Sequence, residues 1–563
     1  MAAVPSSPPL LNGERAVVSL FIVAVLCSLP SSLLSHGAAL SLLSLLALSV
    51  EILADRSPSP LSQFKTRPGA SSGILLGAVT LPAVLLSKLI QLSRAIALRE
   101  INRQEVDYMA MQYWAATASS LAVLVFLRVV MWRSGSANRW GALFRLWFAF
   151  VPIGALLCVV LLNTGVPVAP VLLWFVFHGF AAVKLVQHLL NTFPSCASIG
   201  EALLVTVGLV LYFGDMLAST VTKLHGFLAL SELMPIRYGI KRSEISIITQ
   251  GLILGLLLFP IIFKYVLHIL NRLLTASNTG WRAHYHILKS IVFFPFFAFL
   301  MIVVVPSWMQ LVHDFEVHPL LWVVKFIFSE PVKRLSICSF WVLAIYVSVQ
   351  LCYNISKNSK LERILLRKYY HLLAVIMFLP AVILEPLFLN LAFGAALAGF
   401  LSLEVIRVWR IWPLGELIHE FMNAFTDHRD SDLLIVSHFS LLLGCALPIW
   451  MSSGYNDRPL APFAGILSLG IGDTMASMVG HKYGVLRWSK SGKKTIEGTA
   501  AGVTSVLAFC LVLLPILTST GYILTQHWIS ILLAVIVSGL LEAYTAQLDN
   551  AFIPLVFYGL LCL

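Results

Sequence analysis

The sequence predicts an all-α, polytopic integral membrane protein with about 14–17 transmembrane helices. Hydrophobic residues make up 59% of the 563 residues and charged residues only 11%, whereas a soluble domain has roughly 25% charged residues. The mean hydropathy of the chain is +0.89. Apolar stretches of about 17–25 residues, the length that a helix needs to cross a bilayer, recur along the whole chain.

The apolar stretches divide the chain into sixteen predicted spans, followed by an apolar tail from Ala551 to Leu563 that is short for a full crossing. The first span is expected to be retained, because the polar N-terminal segment offers no small-residue cleavage site. The predicted spans are 16–34, 37–54, 73–92, 112–132, 141–163, 166–190, 199–220, 245–270, 289–311, 335–352, 369–384, 386–404, 433–450, 461–480, 500–520 and 527–544. Residues 410–425 carry apolar side chains near helical spacing, which predicts an amphipathic helix in the membrane interface.

The charged residues indicate an orientation rather than a nucleic-acid partner. The net charge is +12, but the basic residues are scattered over many short loops. An excess of Lys and Arg in such loops marks the cytosolic side of a membrane protein. The basic groups at 357–368, 407–410 and 482–494 are separated by pairs of spans. We therefore expect every polar block of the C-terminal third to face the cytosol.

The chain divides by polarity into two predicted regions. Residues 1–335 form a multi-span membrane region with few polar motifs, which we expect to accommodate a lipid. Residues 336–563 hold almost all of the polar constellations and form the predicted catalytic region. The eight cysteines form no C-x-x-C pair, so neither a zinc site nor a disulfide framework is indicated.

Residues 470–499 place acids, small residues and lysines in one compact polar block between long apolar segments. Asp473 ends an apolar run, where a carboxylate is costly unless it faces water, a cation or a ligand. Mg²⁺ is commonly held by one or two carboxylates together with substrate phosphates, so we predict that Asp473 binds a metal ion. The small residues around it, Gly472, Ser477 and Gly480, let either a phosphate chain or another helix approach the backbone.

A lysine pair begins the second part of this block. Lys493 and Lys494 offer positive charge to triphosphate oxygens, and the hydroxyls and backbone N–H groups that follow offer neutral donors at a helix start. Glu497 is placed either to reach the metal or to cap that helix. A basic cytosolic flank explains the lysines in isolation, but together with Asp473 they favour a nucleotide triphosphate site. The Walker pattern G-x-x-x-x-G-K-[ST] is absent from the sequence.

Residues 542–550 contain the second set of candidate groups. Glu542, Thr545 and Asp549 follow the i, i+3, i+7 spacing of one helical face, which predicts that they point into a shared cleft. The two acids are suited to complete a metal shell or to act as the base that accepts a proton. The residues leave open which acid is the base.

Several of these stretches resemble the cytidine-triphosphate-binding region of dolichol kinases: GDTMASMVG, YGVLRW and GKKTIEGT, followed by LLEAYTAQLDN. The upstream stretches RKYYHL and LGCALPIW are also similar to that family, so the resemblance covers residues 363–555. It implies transfer of the γ-phosphoryl group of CTP to the hydroxyl of dolichol, giving dolichyl phosphate for protein glycosylation. The implied location is the endoplasmic reticulum membrane, with the active site facing the cytosol and Mg²⁺ or another divalent cation as cofactor.

The residue chemistry and the resemblance together assign expected roles. The expected catalytic residues are Asp473, Glu497, Asp549 and Glu542, of which Asp473, Glu497 and Asp549 are also the expected metal ligands. The resemblance implies CTP binding by Gly472, Thr474, Ser477, Gly480, His481, Lys482, Tyr483, Gly484, Arg487, Trp488, Lys493, Lys494, Thr495, Gly498 and Thr499. Contacts to the lipid or to phosphate are expected from Arg367, Lys368, His371 and Gln547.

Other classes of protein remain open from the sequence. The D-x-x-A-S and K-K-T-x-E-G residues are also similar to those of CDP-diacylglycerol synthases, which would release pyrophosphate, and of phytol kinases, which would use another alcohol. A transporter is the non-enzyme alternative, but it should show paired broken helices in two repeated halves, which we do not find. The expected partners are CTP, dolichol or a related long polyprenol, and membrane lipid, without nucleic acid.

Overall fold

The computed structural model describes residues 12–56, 61–133, 168–228, 242–276, 285–358, 363–423, 434–488, 494–519 and 527–563. The helices that begin within the first 335 residues are α1 (Gly13–Cys27), α2 (Leu34–Arg56), α3 (Ile74–Ala97), α4 (Arg103–Arg133), α5 (Val168–Thr192), α6 (Ile199–Leu228), α7 (Glu244–Ala276), α8 (Tyr285–Phe299), α9 (Val305–Val312), α10 (Pro319–Ser329) and α11 (Pro331–Asn358). The later helices are α12 (Arg363–Leu384), α13 (Pro386–Trp409), α14 (Gly415–Asn423), α15 (Val436–Met451), α16 (Thr474–Tyr483), α17 (Ile496–Ser519), α18 (Trp528–Tyr544) and α19 (Asp549–Leu561). Two π-helical segments, Leu300–Val304 and Ile466–Asp473, lead directly into α9 and α16.

The helices have the length and composition of membrane spans. Within the described ranges, 10 helices are long and apolar enough to cross a bilayer, and five shorter apolar helices accompany them. Large apolar side chains such as Val342, Leu343 and Tyr346 of α11 are mostly exposed, as expected for a surface that contacts lipid rather than water. The predicted all-α polytopic membrane fold is confirmed. The predicted span at 141–163 lies outside the described residues.

The main hydrophobic core joins the two predicted regions of the chain. It contains buried residues of α1 to α6 together with residues of α12, α13, α15, α17, α18 and α19. At one point of close contact, Gly559 of α19 lies against Val84 of α3 and Phe21 of α1. The division at residue 335, which stays a prediction about function, is therefore crossed by shared packing.

A second, smaller core combines aliphatic side chains with a group of packed aromatic rings. It includes Phe259 and Phe263 of α7, Phe293 of α8 and residues of α13. The ring centroids of Phe259 and Phe293 lie 5.2 Å apart in an edge-to-face arrangement, and Trp409 of α13 lies 5.2 Å from Phe263. Such geometry is favoured by the charge distribution of aromatic rings. This cluster attaches α7 and α8 to α13.

Two local expectations need correction. Residues 542–549 are not one continuous helix, because α18 ends at Tyr544 and α19 begins at Asp549. The Thr545 hydroxyl accepts a hydrogen bond from the backbone N–H of Gln547 at 3.1 Å, a local bond that competes with helix continuation. Of the predicted amphipathic segment 410–425, only Gly415–Asn423 is helical among its described residues.

Candidate functional site

The site begins at Asp473, the last residue of the π-helical segment. Its side chain is 1% exposed, and it contacts the ammonium group of Lys368 on α12. The Nδ1 atom of His371, one turn further along α12, lies 3.1 Å from Oδ2 of Asp473, and the Ser477 hydroxyl lies 3.4 Å from Oδ1. A buried carboxylate needs such partners to offset its lost hydration. π-Helical turns are frequent at functional sites, and here the turn leads into this charged group.

Lys494 and Glu542 form the second half of the site. Lys494 Nζ donates a hydrogen bond to Oε1 of Glu542 at 2.9 Å, which joins the segment before α17 to the last turn of α18. Partial burial lowers the pKa of Lys494, but the carboxylates of Glu542, Asp473 and Asp549 outweigh it and hold the pKa above its ordinary value. Lys494 therefore stays protonated throughout the neutral pH range and keeps its charge available for an anionic ligand.

The two halves form one charged cluster, which we call the acid–lysine cluster: Lys368, His371, Asp473, Lys494, Glu542 and Asp549. Its members come from α12, the π-helical segment, and the ends of α17, α18 and α19. Lys494 and Asp473 influence each other electrostatically. Helices α12 and α16 pack together, as do α16 with α17 and α17 with α18. The sequence prediction that Asp473 and Lys494 lie near each other is supported by this arrangement.

Between α16 and α17, the described residues on the two sides of 489–493 are joined by hydrogen bonds. The backbone N–H of Ile496 donates to the carbonyl of Leu486 at 2.8 Å, and the N–H of Trp488 donates to the carbonyl of Lys494 at 3.3 Å. Glu497 accepts from the N–H of Leu486 at 3.0 and 3.2 Å. Glu497 thus ties the base of the loop, a role that the sequence analysis did not predict for it.

Two further predicted CTP contacts are engaged at the start of α17. The Thr495 hydroxyl accepts from the N–H of Gly498 at 3.2 Å, as a helix cap does. The Thr499 hydroxyl accepts from the indole N–H of Trp488 at 2.9 Å, and the Trp488 ring lies 5.2 Å from that of Tyr544. These bonds join Trp488 to the start of α17, and the direct role of Thr495 and Thr499 in CTP binding stays a prediction.

The small residues of the block bring two helices close together. A Cβ atom added to Gly498 would lie 2.6 Å from the carbonyl oxygen of Ala476, and one added to Gly502 would lie 2.9 Å from that of Gly472. A Cβ atom added to Gly480 would lie 2.8 Å from the hydroxyl oxygen of Thr495. Helix packing, one of the two explanations that the sequence left open, is therefore observed at Gly472 and Gly480, while CTP binding by Gly472, Gly480 and Gly498 stays a prediction. Because Gly502 meets Gly472 while Thr495 meets Gly480, the two helices run antiparallel, and the backbones of Asp473 and Lys494 lie towards opposite ends of α16.

The remaining predicted contacts divide by exposure. Thr474 is buried, while Ser477 and Gly484 are half-buried. The exposed side chains beside the loop are His481, Lys482, Tyr483 and Arg487. Lys493 and the side chain of Arg367 lie outside the described residues.

Gln547 has hydrogen-bond partners within the protein, and its predicted contact with lipid or phosphate stays a prediction. Its amide nitrogen donates to the carbonyl oxygen and the hydroxyl of Ser71, at 3.0 and 2.8 Å. Its amide oxygen accepts from the hydroxyl of Ser198. With a side chain 2% exposed, Gln547 joins the segment between α18 and α19 to the N-terminal helices.

The donor set fits a divalent cation in part. Carboxylate oxygens are ligands that Mg²⁺ prefers, and it usually takes one or two of them together with phosphate oxygens and water. Asp473 is suited to be such a ligand. In the described part of the chain, no three His, Cys, Asp or Glu side chains are grouped closely enough to hold a metal ion by themselves. The predicted set of Asp473, Glu497 and Asp549 is therefore not preassembled, and metal binding there stays a prediction.

Sequence reasoning missed two features of this site. Lys368 and His371 were predicted to contact lipid or phosphate, but not to be the partners of Asp473. The N-terminal residues that hold the 545–548 segment were not recognised either, although Ser198-Ile199-Gly200-Glu201 carries the S-x-x-E signature of a helix capping box. That signature predicts a helix start but not its distant partner.

The fold and the acid–lysine cluster define a polytopic membrane protein with a charged site built from its C-terminal helices. A family model described as dolichol kinase matches residues 162–514. The chain is 62% identical to the dolichol kinase EVAN of Arabidopsis thaliana over 98% of this chain and 99% of that protein. It is 32% identical to the dolichol kinase of Homo sapiens over 67% of each chain, and 33% identical to that of Saccharomyces cerevisiae over 42% of this chain and 43% of the yeast protein. No solved structure matches the chain.

The chain belongs to the dolichol kinase family. The family predicted from the sequence is thereby confirmed, as is the prediction of an enzyme of that family. Family membership also argues against the transporter alternative.

Proposed function

We propose that this chain transfers the γ-phosphoryl group of CTP to the terminal hydroxyl of dolichol, at the cytosolic face of the endoplasmic reticulum membrane. The observation that carries the proposal is the acid–lysine cluster, in which the buried Asp473 lies beside Lys368 and near the Lys494–Glu542 pair. Membership of the dolichol kinase family supports the choice of acceptor. The basic loops support the cytosolic orientation.

The proposed reaction needs charge neutralisation and positioning more than covalent chemistry by the protein. The dolichol oxygen bonds to the γ-phosphorus, the bond from that phosphorus to the bridging oxygen breaks, and CDP leaves. Lys494 balances the negative charge of the triphosphate. Lys368 does the same when a phosphate oxygen replaces Asp473 as its partner. Glu542 and Asp549 are the carboxylates available to accept the proton of the hydroxyl.

A divalent cation would be held in this site by Asp473 together with phosphate oxygens. Bound there, Mg²⁺ would supply positive charge against the β- and γ-phosphates. His371, beside Asp473, restricts where that carboxylate points. The isoprenoid chain stays in the bilayer beside the long apolar helices, so that only its hydroxyl needs to reach the acid–lysine cluster.

The experiment that tests this function uses purified full-length protein, Mg²⁺, dolichol and CTP labelled either at the α- or at the γ-phosphate. We expect γ-label on the lipid, α-label in CDP, and loss of both products when the cation is chelated. Transfer of α-label to a lipid with release of pyrophosphate would identify the CDP-diacylglycerol synthase type of reaction instead. Phytol and phosphatidate as alternative acceptors, and ATP as alternative donor, complete the comparison.

A further inference from the structure

The segment between α18 and α19, residues 545–548, is held by side chains from the opposite end of the chain. We call this segment the acid linker, because Glu542 lies shortly before it and Asp549 directly after it. The side chains that hold it belong to the loop before α3 and to the first turn of α6. Its contacts with them span more than three hundred residues of sequence.

An ion pair fastens the backbone of the acid linker. Arg67 pairs with Glu201, and the two side chains are 7% and 2% exposed. The guanidinium of Arg67 also donates to the carbonyl of Ala546 at 3.0 Å. Glu201 Oε1 accepts from the backbone N–H of Leu548 at 2.7 Å. The pair therefore holds one carbonyl and one N–H of the acid linker, two residues apart.

The position of Glu201 is itself fixed by a capping box. Its N–H donates to the Ser198 hydroxyl at 3.1 Å, and its Oε2 accepts from the N–H of Ser198 at 2.7 Å. This reciprocal arrangement satisfies backbone donors at the start of α6. One oxygen of the carboxylate thus caps its own helix while the other holds the acid linker.

The Gln547 side chain of the acid linker adds hydrogen bonds of its own to Ser71 and Ser198 in the N-terminal region. Gly73 leaves the space for it, since a Cβ atom there would lie 2.5 Å from the Gln547 amide. Gly73 also has φ +59°, a conformation in which a side chain is strained. The contact between the acid linker and the N-terminal region therefore depends on residues of both.

These contacts matter to the site because the acid linker joins two of its carboxylates. Glu542 lies in the last turn of α18 and pairs with Lys494 at 2.9 Å, while Asp549 begins α19. A rearrangement of the four residues between the helices would move the two acids relative to each other and to the lysine. Displacement by about 1 Å can cost about 100-fold in rate.

We propose that Arg67 and Glu201 are positioning residues of the active site, which hold the acid linker so that Glu542 and Asp549 keep their places beside Lys494. The inference rests on the proposed phosphoryl transfer. It gives the N-terminal helices a part in the reaction beyond any contact with the lipid.

The test measures kcat and the KM values for CTP and dolichol with purified full-length Arg67→Met and Arg67→Lys. Arg334→Met is the matched control, because it breaks another buried ion pair, with Glu385 at 3.3 Å, that has no contact with the acid linker. We expect Arg67→Met to lower kcat by about 10- to 100-fold while both KM values change by less than about 3-fold, since the acids act in the transition state. Arg67→Lys should recover part of the lost kcat, and Arg334→Met should keep it.

A comparison of combined variants separates positioning from general stability. In a Glu542→Gln, Asp549→Asn background, which we expect to be impaired but measurable, Arg67→Met should lower kcat by less than about 2-fold further, because both groups that it positions have already been changed. A purely structural role would give the same relative loss in both backgrounds. That result, or an unchanged kcat for Arg67→Met in the otherwise natural protein, would overturn the inference.

Two further outcomes have a defined meaning. If Arg67→Met does not accumulate, Gln547→Met replaces it, because it removes the bonds to Ser71 and Ser198 without leaving a buried charge, and the same kinetic criteria apply. If the unaltered protein does not phosphorylate dolichol from CTP, or if Glu542→Gln keeps full kcat, the proposed function or its site assignment fails. Those results are distinguishable from a failure of the Arg67 variants alone.

Discussion

At the scale of single residues, Asp473 is the group on which the site depends. Its side chain is 1% exposed and lies against the cation of Lys368. Leaving either member of a buried ion pair without its partner is strongly destabilising, by about 3–5 kcal/mol. The same carboxylate is proposed to hold the divalent cation. Stability and activity are therefore both linked to this residue, and they need to be measured separately.

We predict that Asp473→Asn abolishes CTP-dependent phosphorylation of dolichol and also lowers the thermal stability of the protein, because Lys368 loses its partner. The double variant Asp473→Asn with Lys368→Met restores the balance of charge, so it should recover most of the lost stability and none of the activity. Thermal unfolding and the phosphorylation assay on the same preparations check this. Ser477→Ala, next to the carboxylate, serves as the control for local packing. Near-normal turnover by Asp473→Asn would refute the proposed metal role.

At the scale of helices, the contact between α16 and α17 brings the site together. Gly498 and Gly502 allow the α17 backbone to approach the carbonyl oxygens of Ala476 and Gly472. Small residues at a helix contact permit such close approach in membrane proteins. Because Asp473 precedes α16 and Lys494 precedes α17, a shift of one helix relative to the other would change the distance between the two charges.

We predict that Gly498→Ala destabilises the protein by about 1–3 kcal/mol, the usual cost of adding atoms to a closely packed contact. It should also reduce kcat by moving Lys494 away from Asp473. The matched control is Gly399→Ala in α13, where an added Cβ atom meets nothing within 4 Å; there alanine should be neutral or slightly stabilising. Thermal unfolding and kcat are measured for both variants. Equal stability and equal kcat of the two would argue against close packing at Gly498.

Local pattern was enough to predict the elements but not their long-range contacts. The carboxylate of Asp473 at the end of an apolar run and the lysine pair before α17 were visible as candidates, because isolated charges at span ends are costly. The pairing of Asp473 with Lys368 depends on how α12 packs against the π-helical segment, which spacing along the chain does not encode. At Thr545 the helical spacing was misleading, since α18 ends at Tyr544 and the Thr545 hydroxyl accepts a hydrogen bond from the backbone N–H of Gln547 in the segment that follows.

At the scale of the whole molecule, the N-terminal and C-terminal regions form one packed unit among the described residues. The main core draws on helices from both regions, and the acid linker is fastened by Arg67 and Glu201. The N-terminal region thus packs against the C-terminal helices and holds a segment next to the candidate site. Sequence polarity could not reveal this, because these polar residues are dispersed singly through an apolar region and meet only in the folded chain.

The most direct test of the central claim, that Asp473 and Lys494 together bind a cation-loaded cytidine nucleotide, is the affinity of purified full-length protein for CTP with and without Mg²⁺. We expect Mg²⁺ to strengthen binding to the unaltered protein and to have no such effect on Asp473→Asn. Lys494→Met should weaken Mg²⁺–CTP binding by about 10- to 100-fold, the value of one charge-assisted hydrogen bond of about 1.5–3 kcal/mol. Unchanged affinity and unchanged Mg²⁺ dependence in both variants would contradict the account.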